Sequence, residues 1–217
     1  MRTNPPHVAI LLPSRGQRAL ANLARDAIAA FTADVSHEVW SLDHQGATDW
    51  PWGSEANGLS LDTMLDAIKG FYVVQRASHV FAMHDDALPL RVGWLSYLLS
   101  KPGPVTGVKA SQRNGYAHAS GVLFTREFAV THSMRPSLPE RDAAEWPPAW
   151  CATATCWRPS VWRRFGRSAD HWWQRFSCDV SFDDDSKPFY IHRGGGTINR
   201  HQNNTVWIRE ARKALGL

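Results

Sequence analysis

The sequence predicts an α/β fold in which a mostly parallel sheet is flanked by helices. Short apolar runs alternate with segments of helical periodicity in roughly the first half of the chain. Each apolar run stops abruptly at polar residues, and the connections are long enough for the crossovers that join parallel strands. A length of 217 residues and a hydrophobic content of 43% suffice for a full core. We therefore expect a single compact domain over residues 1–217.

The first half of the chain predicts the order β-α-β-α-β. Its strands are short apolar runs, and its helices have apolar residues on one face, the second helix beginning with a serine that can act as N-cap. The strands are predicted at Val8–Leu12, Glu38–Leu42 and Val80–Met83, and the helices at Gln17–Phe31 and Ser60–Tyr72.

The second half predicts further strands around an irregular segment. Residues 133–149 contain four prolines and little periodicity, which is typical of a long loop. Strands are predicted at Val105–Val108, His118–Thr125, Cys151–Trp157 and Pro188–His192, short helices at Pro159–Gly166 and Ala169–Ser177, and a final helix at Asn203–Leu217.

The net charge of +4 is unevenly distributed along the chain. Residues 1–157 carry a net charge of −1, whereas residues 158–217 carry +5. Such a basic quarter suits a phosphorylated ligand, a nucleic acid or an anionic membrane surface. For Arg209–Lys213, a solvated helix face is the simpler interpretation.

No apolar run approaches the length of a membrane span, and the short apolar stretch near the N terminus fits a first strand better than a signal peptide. The three cysteines have no metal-ligand spacing and fit reduced core residues. We therefore expect a cytoplasmic protein.

Two adjacent carboxylates, Asp85 and Asp86, follow the third predicted strand, after His84. Open α/β sheets bind their ligands at the carboxyl edge, where these side chains should lie. Neighbouring carboxylates repel unless a cation lies between them, so the pair indicates a divalent cation that holds a phosphorylated ligand. The alternative is that Asp86 only caps a helix that begins near Pro89. His84 is either a neighbour of the metal or an ordinary hydrogen-bonded histidine.

All three strands of the first half end in polar residues. The first ends at Ser14 and Arg15, the second at Asp43, and the third at residues 84–86. Because parallel strands share their carboxyl edge, we expect these side chains to converge, as a nucleotide site requires. The segment PSRGQR has a single glycine, so neither common glycine-rich phosphate loop occurs there.

The order of these parts resembles the GT-A fold of nucleotide-sugar glycosyltransferases, most closely the large inverting family 2 group. The resemblance extends from Val8 to about His201. It is carried by VAILLPSRG, EVWSLDHQGATDW, HVFAMHDDALPLRVGWLSYLL, and WRPSVWRRFGRSADHWWQRFSCDVSF followed by FYIHRGGGT. It implies a Rossmann-like, mixed but mostly parallel sheet, with a nucleotide-binding half at residues 1–100 and an acceptor-side half at residues 101–217.

The resemblance implies a metal-dependent glycosyltransferase that moves a sugar from a nucleoside-diphosphate sugar, expected to be a UDP-sugar, to an acceptor hydroxyl with inversion. A divalent cation, Mn²⁺ or Mg²⁺, stabilises the departing diphosphate. The implied donor-binding residues are Pro13, Ser14, Arg15, Asp43, Asp85 and Arg193; the metal ligands are Asp86 and His192; Trp172 and Trp173 bind the acceptor, and Asp179 is the catalytic base.

Two departures from the family pattern leave alternatives open. The metal motif is His-Asp-Asp where the family has Asp-x-Asp, and histidine is acceptable as a ligand when the ion is manganese. Cys178 stands where the family has a glutamate before the catalytic aspartate, so Asp183, Asp184 or Asp185 is the alternative base. Backbone N–H groups of Gly194–Gly196 can donate to the diphosphate, although a flexible turn explains these glycines equally well.

Trp172 and Trp173 are neighbours in a predicted helix, where consecutive side chains face different directions. We therefore expect one of them to stack on the acceptor ring and the other to lie in the core.

The acceptor is open at this point. A modified base in DNA, as in viral DNA hypermodification, fits the basic quarter, and a glycan or lipid-linked precursor is the other candidate. Two further function classes compete with the glycosyltransferase. A nucleotidyltransferase also uses paired acids and a metal but normally has a lysine-bearing loop after the first strand. A non-enzymatic nucleic-acid-binding protein would use the acids only structurally.

Overall fold

In the computed structural model, residues 5–14, 16–43, 64, 76–109, 117–131, 155–156, 172, 179–183, 187–193 and 202–217 are described. The second predicted helix, the proline-containing loop at 133–149 and the predicted helices at 159–166 and 169–177 lie outside these residues, apart from positions 64 and 172.

The described residues form nine strands and four helices. The strands are β1 (His7–Ser14), β2 (Ser36–Asp43), β3 (His79–Ala82), β4 (Ala87–Pro89), β5 (Val105–Lys109), β6 (Ala117–Thr125), β7 (Thr155–Cys156), β8 (Asp179–Phe182) and β9 (Pro188–His192). The helices are α1 (Arg18–Phe31), α2 (Trp94–Leu99), α3 (Arg126–Thr131) and α4 (Gln202–Leu215). No helix among the described residues has the length and apolar content that a membrane crossing requires.

The larger sheet has the strand order β2-β1-β3-β6-β5-β7. Strand β1 is parallel to both β2 and β3, and β7 is parallel to β5. Strand β6 is antiparallel to its neighbours β3 and β5. The sheet is therefore mixed and mostly parallel, and the predicted α/β fold is confirmed.

A smaller antiparallel sheet has the order β4-β9-β8. Its first strand, β4, begins at Ala87, directly after Asp85 and Asp86. Its middle strand places His192 opposite both Ala87 of β4 and Asp179 of β8. The sheet thereby brings a late segment of the chain next to residues 84–86. Strands β4 and β8 were not predicted, because β4 is three residues long and contains a proline, and β8 has only two apolar residues, unlike the continuous apolar run of β3.

The interpretation of Asp86 as the cap of a helix near Pro89 is wrong. Pro89 ends β4, and helix α2 begins five residues later at Trp94. Gly93 is the N-cap residue, with a φ of 91° that glycine adopts readily because it has no Cβ. Asp86 is therefore not needed to begin the helix.

The core joins the two sheets and α1. All of β1 from Val8 to Leu12 is fully buried, and α1 packs an apolar face against the core. The ring of Trp94 lies 4.9 Å from Phe81 and 5.8 Å from Tyr190, which links α2, β3 and β9. The Trp94 indole also donates to Thr32 Oγ1 at 3.1 Å. These contacts hold β3 and β9 in position relative to each other.

Candidate metal centre

The predicted convergence of strand ends is confirmed for the first three strands. Ser14 and Asp43 are register partners at the ends of β1 and β2. Ser14 Oγ donates to Asp85 Oδ2 at 3.0 Å, and the backbone N–H of Gly16 donates to Asp43 Oδ1 at 3.0 Å. Polar groups from three successive strands thus lie at one edge of the larger sheet.

At this edge, His84, Asp86 and His192 bring one ligand atom each to within 4.8 Å of one another. Nε2 of His192 lies 3.2 Å from Oδ1 of Asp86, and the two imidazole rings are 5.8 Å apart. Asp86 is 5% exposed and His192 is 9% exposed. A carboxylate and two imidazoles in a nearly buried group are a donor set that can hold a metal ion.

Backbone hydrogen bonds hold the turn that carries His84 and Asp86. The N–H of His84 donates to Ser120 Oγ at 3.0 Å, and the N–H of Ala87 donates to the His84 carbonyl at 3.2 Å. On the other side, the N–H of Arg193 donates to the Asp86 carbonyl at 2.9 Å. The backbone that carries His84 and Asp86 is therefore held from β6 and from the end of β9.

The environment sets the protonation of two candidate ligands. Burial lowers the pKa of His84 from 6.5 to about 4, so its imidazole is neutral at pH 7. Burial alone would raise the pKa of Asp86, but the charge and hydrogen bond of His192 outweigh burial and hold it below its ordinary value. Neutral imidazole and ionised carboxylate are the forms that bind metals.

In the structure, the residue of the 84–86 segment that lies in the candidate metal group with Asp86 is His84. The three residues whose ligand atoms come together are His84, Asp86 and His192, whereas Asp85 accepts a hydrogen bond from Ser14. That Asp85 and Asp86 together hold the cation stays a prediction. The turn at residues 84–87, closed by the hydrogen bond from the Ala87 N–H to the His84 carbonyl, brings His84 and Asp86 together, while Asp85 contacts Ser14. The His-x-Asp spacing was the signal in the sequence.

The other predicted donor-binding residues lie near this edge with different contacts. Pro13 is buried in β1 opposite Leu42. Asp43, besides accepting from Gly16, lies 3.9 Å from the guanidinium of Arg18. Arg15 lies outside the described residues.

Arg193 is 5% exposed and points towards the C-terminal helix. Its guanidinium donates to Asn204 Oδ1 and lies 5.6 Å from the ring of Trp207. A role for Arg193 in diphosphate binding stays a prediction, since its described contacts join the end of β9, next to His192, to α4. The indole of Trp172 lies 4.8 Å from Trp207, which fits the tryptophan expected in the core. Trp173 lies outside the described residues.

The candidate bases differ in their surroundings. Asp179 is directly opposite His192 in the register of β8 and β9. Asp183 forms an ion pair with Arg91 and accepts the N–H of Lys187 at 2.9 Å, so it links the end of β8 to the start of β9. Asp184 and Asp185 lie outside the described residues.

Ser120 and Asn204 are the supporting residues that sequence reasoning missed. Ser120 lies 36 residues from His84, and Asn204 lies 11 residues from Arg193. A lone serine or asparagine carries no pattern, so only the fold reveals these contacts.

No protein-family profile and no curated protein matches the sequence. Among solved structures, the chain is similar to the galactosyltransferase LgtC in complex with donor and acceptor sugar analogues, with 12% identity and a TM-score of 0.59, over 96% of this chain and 95% of that one. This likeness shows the fold: the chain has the GT-A-like α/β architecture that the resemblance predicted.

Two weaker similarities are to other glycosyltransferases. One, involved in the glycosylation of the major capsid of PBCV-1, has 9% identity and a TM-score of 0.43 over 58% of this chain and 63% of that one. The other is the mannosyltransferase PcManGT from Pyrobaculum calidifontis in complex with GDP-Man and Mn²⁺, with 13% identity and a TM-score of 0.42 over 65% and 51%. At these TM-scores neither similarity supports an argument.

Proposed function

We propose that the protein is a metal-dependent glycosyltransferase that moves a sugar from a nucleoside-diphosphate sugar to an acceptor hydroxyl. The observation that carries the proposal is the group of His84, Asp86 and His192 at the carboxyl edge of a GT-A-like sheet. Ligands of open α/β sheets bind at this edge. A metal-ligating group there suits a donor whose leaving group is a diphosphate.

The three side chains fit a divalent cation. They offer two imidazole nitrogens and one carboxylate oxygen, and three protein ligands leave coordination positions for diphosphate oxygens. When bound, such an ion acts as a Lewis acid that stabilises the charge developing on the leaving diphosphate. His84, Asp86 and His192 hold and orient the ion in this proposal, while Ser14 fixes Asp85 beside the donor.

We propose Asp179 as the base for an inverting transfer. Directly opposite residues of an antiparallel pair have Cα atoms about 4.5–5.5 Å apart, so position 179 is one strand from the candidate ligand His192. The acceptor O–H proton passes to the carboxylate as the oxygen bonds to the anomeric carbon, and the bond to the diphosphate breaks. Asp179→Asn should abolish transfer while leaving nucleotide binding intact, and the anomeric configuration of the product, read by NMR, tests inversion.

We propose that the acceptor is a glycan or lipid-linked precursor, and we favour it over a modified base in DNA. Part of the basic excess already has acidic partners within the fold: Arg212 with Asp26, and Arg209 with Glu210. Acceptor binding should therefore depend only weakly on salt concentration. A steep salt dependence would instead favour nucleic acid, because phosphate contacts release counterions.

A thermal-shift screen tests the donor part of the proposal. UDP, GDP, ADP and CDP are each added with and without Mn²⁺. A nucleotide at a hundred times its Kd stabilises the fold by about 2.7 kcal/mol. For a chain of this size, that corresponds to a rise in Tm of roughly 5–10 °C. The rise should require Mn²⁺.

Asp86→Asn should remove the metal-dependent rise in Tm. Asp26→Asn is the matched control, because it makes the same chemical change at a surface ion pair with Arg212. If no nucleotide raises the Tm of the wild type under any metal condition, the glycosyltransferase proposal is refuted.

A further inference from the structure

We infer that the centre formed by His84, Asp86 and His192 selects transition-metal ions over Mg²⁺, and that His84 sets this preference. The inference deepens the proposed function and rests on its metal site. It concerns the chemistry of three donor atoms that lie within 4.8 Å of one another.

The donor types favour a transition metal. Two of the three ligand atoms are imidazole nitrogens. Mg²⁺ prefers an octahedral shell of oxygens and loses its waters reluctantly, whereas imidazole suits borderline transition metals. Within that series, affinity for a nitrogen-containing site rises from Mn²⁺ to Co²⁺ and is high for Zn²⁺.

The small negative charge of the site, which has a single carboxylate, also favours a transition metal over Mg²⁺. Asp86 is the one carboxylate of the ligating group, and the adjacent carboxylate of Asp85 accepts a hydrogen bond from Ser14. A hard cation bound mainly by Coulomb attraction gains less from one carboxylate than from two. An aspartate at position 84 would supply the second, and would restore the Asp-x-Asp spacing.

The ligand atoms of His84, Asp86 and His192 are close enough together to bind one ion after a small movement. Metal–nitrogen bonds of about 2.0–2.1 Å place two ligands of one ion no more than roughly 4.2 Å apart. The observed spread of 4.8 Å therefore requires movement of less than roughly 1 Å. The hydrogen bond from the His84 N–H to Ser120 keeps the backbone of this ligand in place during that movement.

The first test measures metal binding by isothermal titration calorimetry on the metal-free full chain, without nucleotide. Mn²⁺, Co²⁺, Zn²⁺ and Mg²⁺ are titrated separately. We expect Co²⁺ and Zn²⁺ to bind at least about tenfold more tightly than Mg²⁺, which corresponds to about 1.4 kcal/mol. His84→Asp should reduce this ratio by at least about tenfold, while His37→Asp, the same change in β2 outside the centre, should leave it unaltered.

The second test counts nitrogen ligands directly in the wild type, so it does not depend on whether a variant folds. Electron spin-echo modulation of the Mn²⁺-loaded protein should show ¹⁴N couplings from two imidazoles, and one of them should be lost in His84→Asp. Coupling to no nitrogen would overturn the inference.

The outcomes separate the inference from the proposed function. Equal affinity for Mg²⁺ and the transition metals overturns the inference but leaves a metal-dependent transferase. Binding of no ion overturns both the inference and the metal requirement, and the thermal-shift screen without metal then decides whether nucleotide binding survives.

Discussion

Replacing Asn204 by alanine should weaken both the fold and the metal centre. The side chain of Asn204 is 5% exposed, and its Oδ1 accepts a hydrogen bond from the buried guanidinium of Arg193. Hydrogen bonds to charged groups contribute about 1.5–3 kcal/mol. We therefore expect Asn204→Ala to lower the free energy of unfolding by about that amount, or the Tm by roughly 3–12 °C.

Asn204→Ala should also lower the metal affinity of the candidate centre, because Arg193 is connected to that centre through the backbone. The N–H of Arg193 donates to the carbonyl of Asp86, and Arg193 directly follows His192 in the chain. Loss of the hydrogen bond to Asn204 weakens the hold of α4 on Arg193 and allows this segment to shift. Loss of supporting contacts around metal ligands typically costs 10–100-fold in metal affinity, and we expect a decrease in Co²⁺ affinity in that range.

Urea unfolding and calorimetric titration with Co²⁺ measure the two effects. Thr205→Ala is the matched control, because Thr205 is the exposed neighbour of Asn204 in α4 and should change neither quantity. Asn204→Asp keeps an acceptor oxygen and should retain most of the metal affinity. If Asn204→Ala unfolds more easily but binds Co²⁺ as tightly as the wild type, the proposed connection from α4 to the metal centre is refuted.

Three further predictions follow from single contacts. Ser14→Ala removes the hydrogen bond to Asp85 and should weaken metal-dependent binding of a nucleoside diphosphate by about 0.5–1.5 kcal/mol, measured by calorimetry, with Ser14→Thr as control. Thr32→Val deprives the buried indole N–H of Trp94 of its acceptor and should cost about 1–3 kcal/mol in urea unfolding, whereas Thr32→Ser should cost less. The metal-free protein should lose stability as the pH falls from about 6.5 to about 4, because the unfolded chain protonates His84 while burial keeps the folded imidazole neutral. His84→Asn should flatten this pH dependence, and an identical profile for wild type and variant would contradict the stated pKa of His84.

The sequence was sufficient for the parts of the fold that local patterns determine. The apolar run of β1 predicts a buried strand, and helical spacing predicts α1 to within one residue of its observed start at Arg18. The convergence of Ser14, Asp43 and residues 84–86 follows from parallel strands sharing one edge, and the hydrogen bond between Ser14 and Asp85 agrees with it.

The parts that the sequence did not reveal depend on contacts between distant segments. From the sequence, His84 is either an ordinary histidine or a neighbour of a metal. Only the position of β9, which places His192 beside Asp86, reveals the three-residue group. That pairing depends on the small sheet, whose strands β4 and β8 are short and lack the continuous apolar run by which β3 was recognised. The hydrogen bond from Arg193 to Asn204 likewise depends on where α4 packs, which the sequence does not reveal.

A crystal structure of the protein with a nucleoside diphosphate and Mn²⁺ shows directly whether His84, Asp86 and His192 hold a metal that binds the diphosphate. We expect one anomalous peak at the Mn²⁺ absorption edge, from an ion bonded to His84, Asp86, His192 and oxygens of the diphosphate. A diphosphate bound elsewhere, or manganese coordinated by other side chains while these three keep their present contacts, would contradict it.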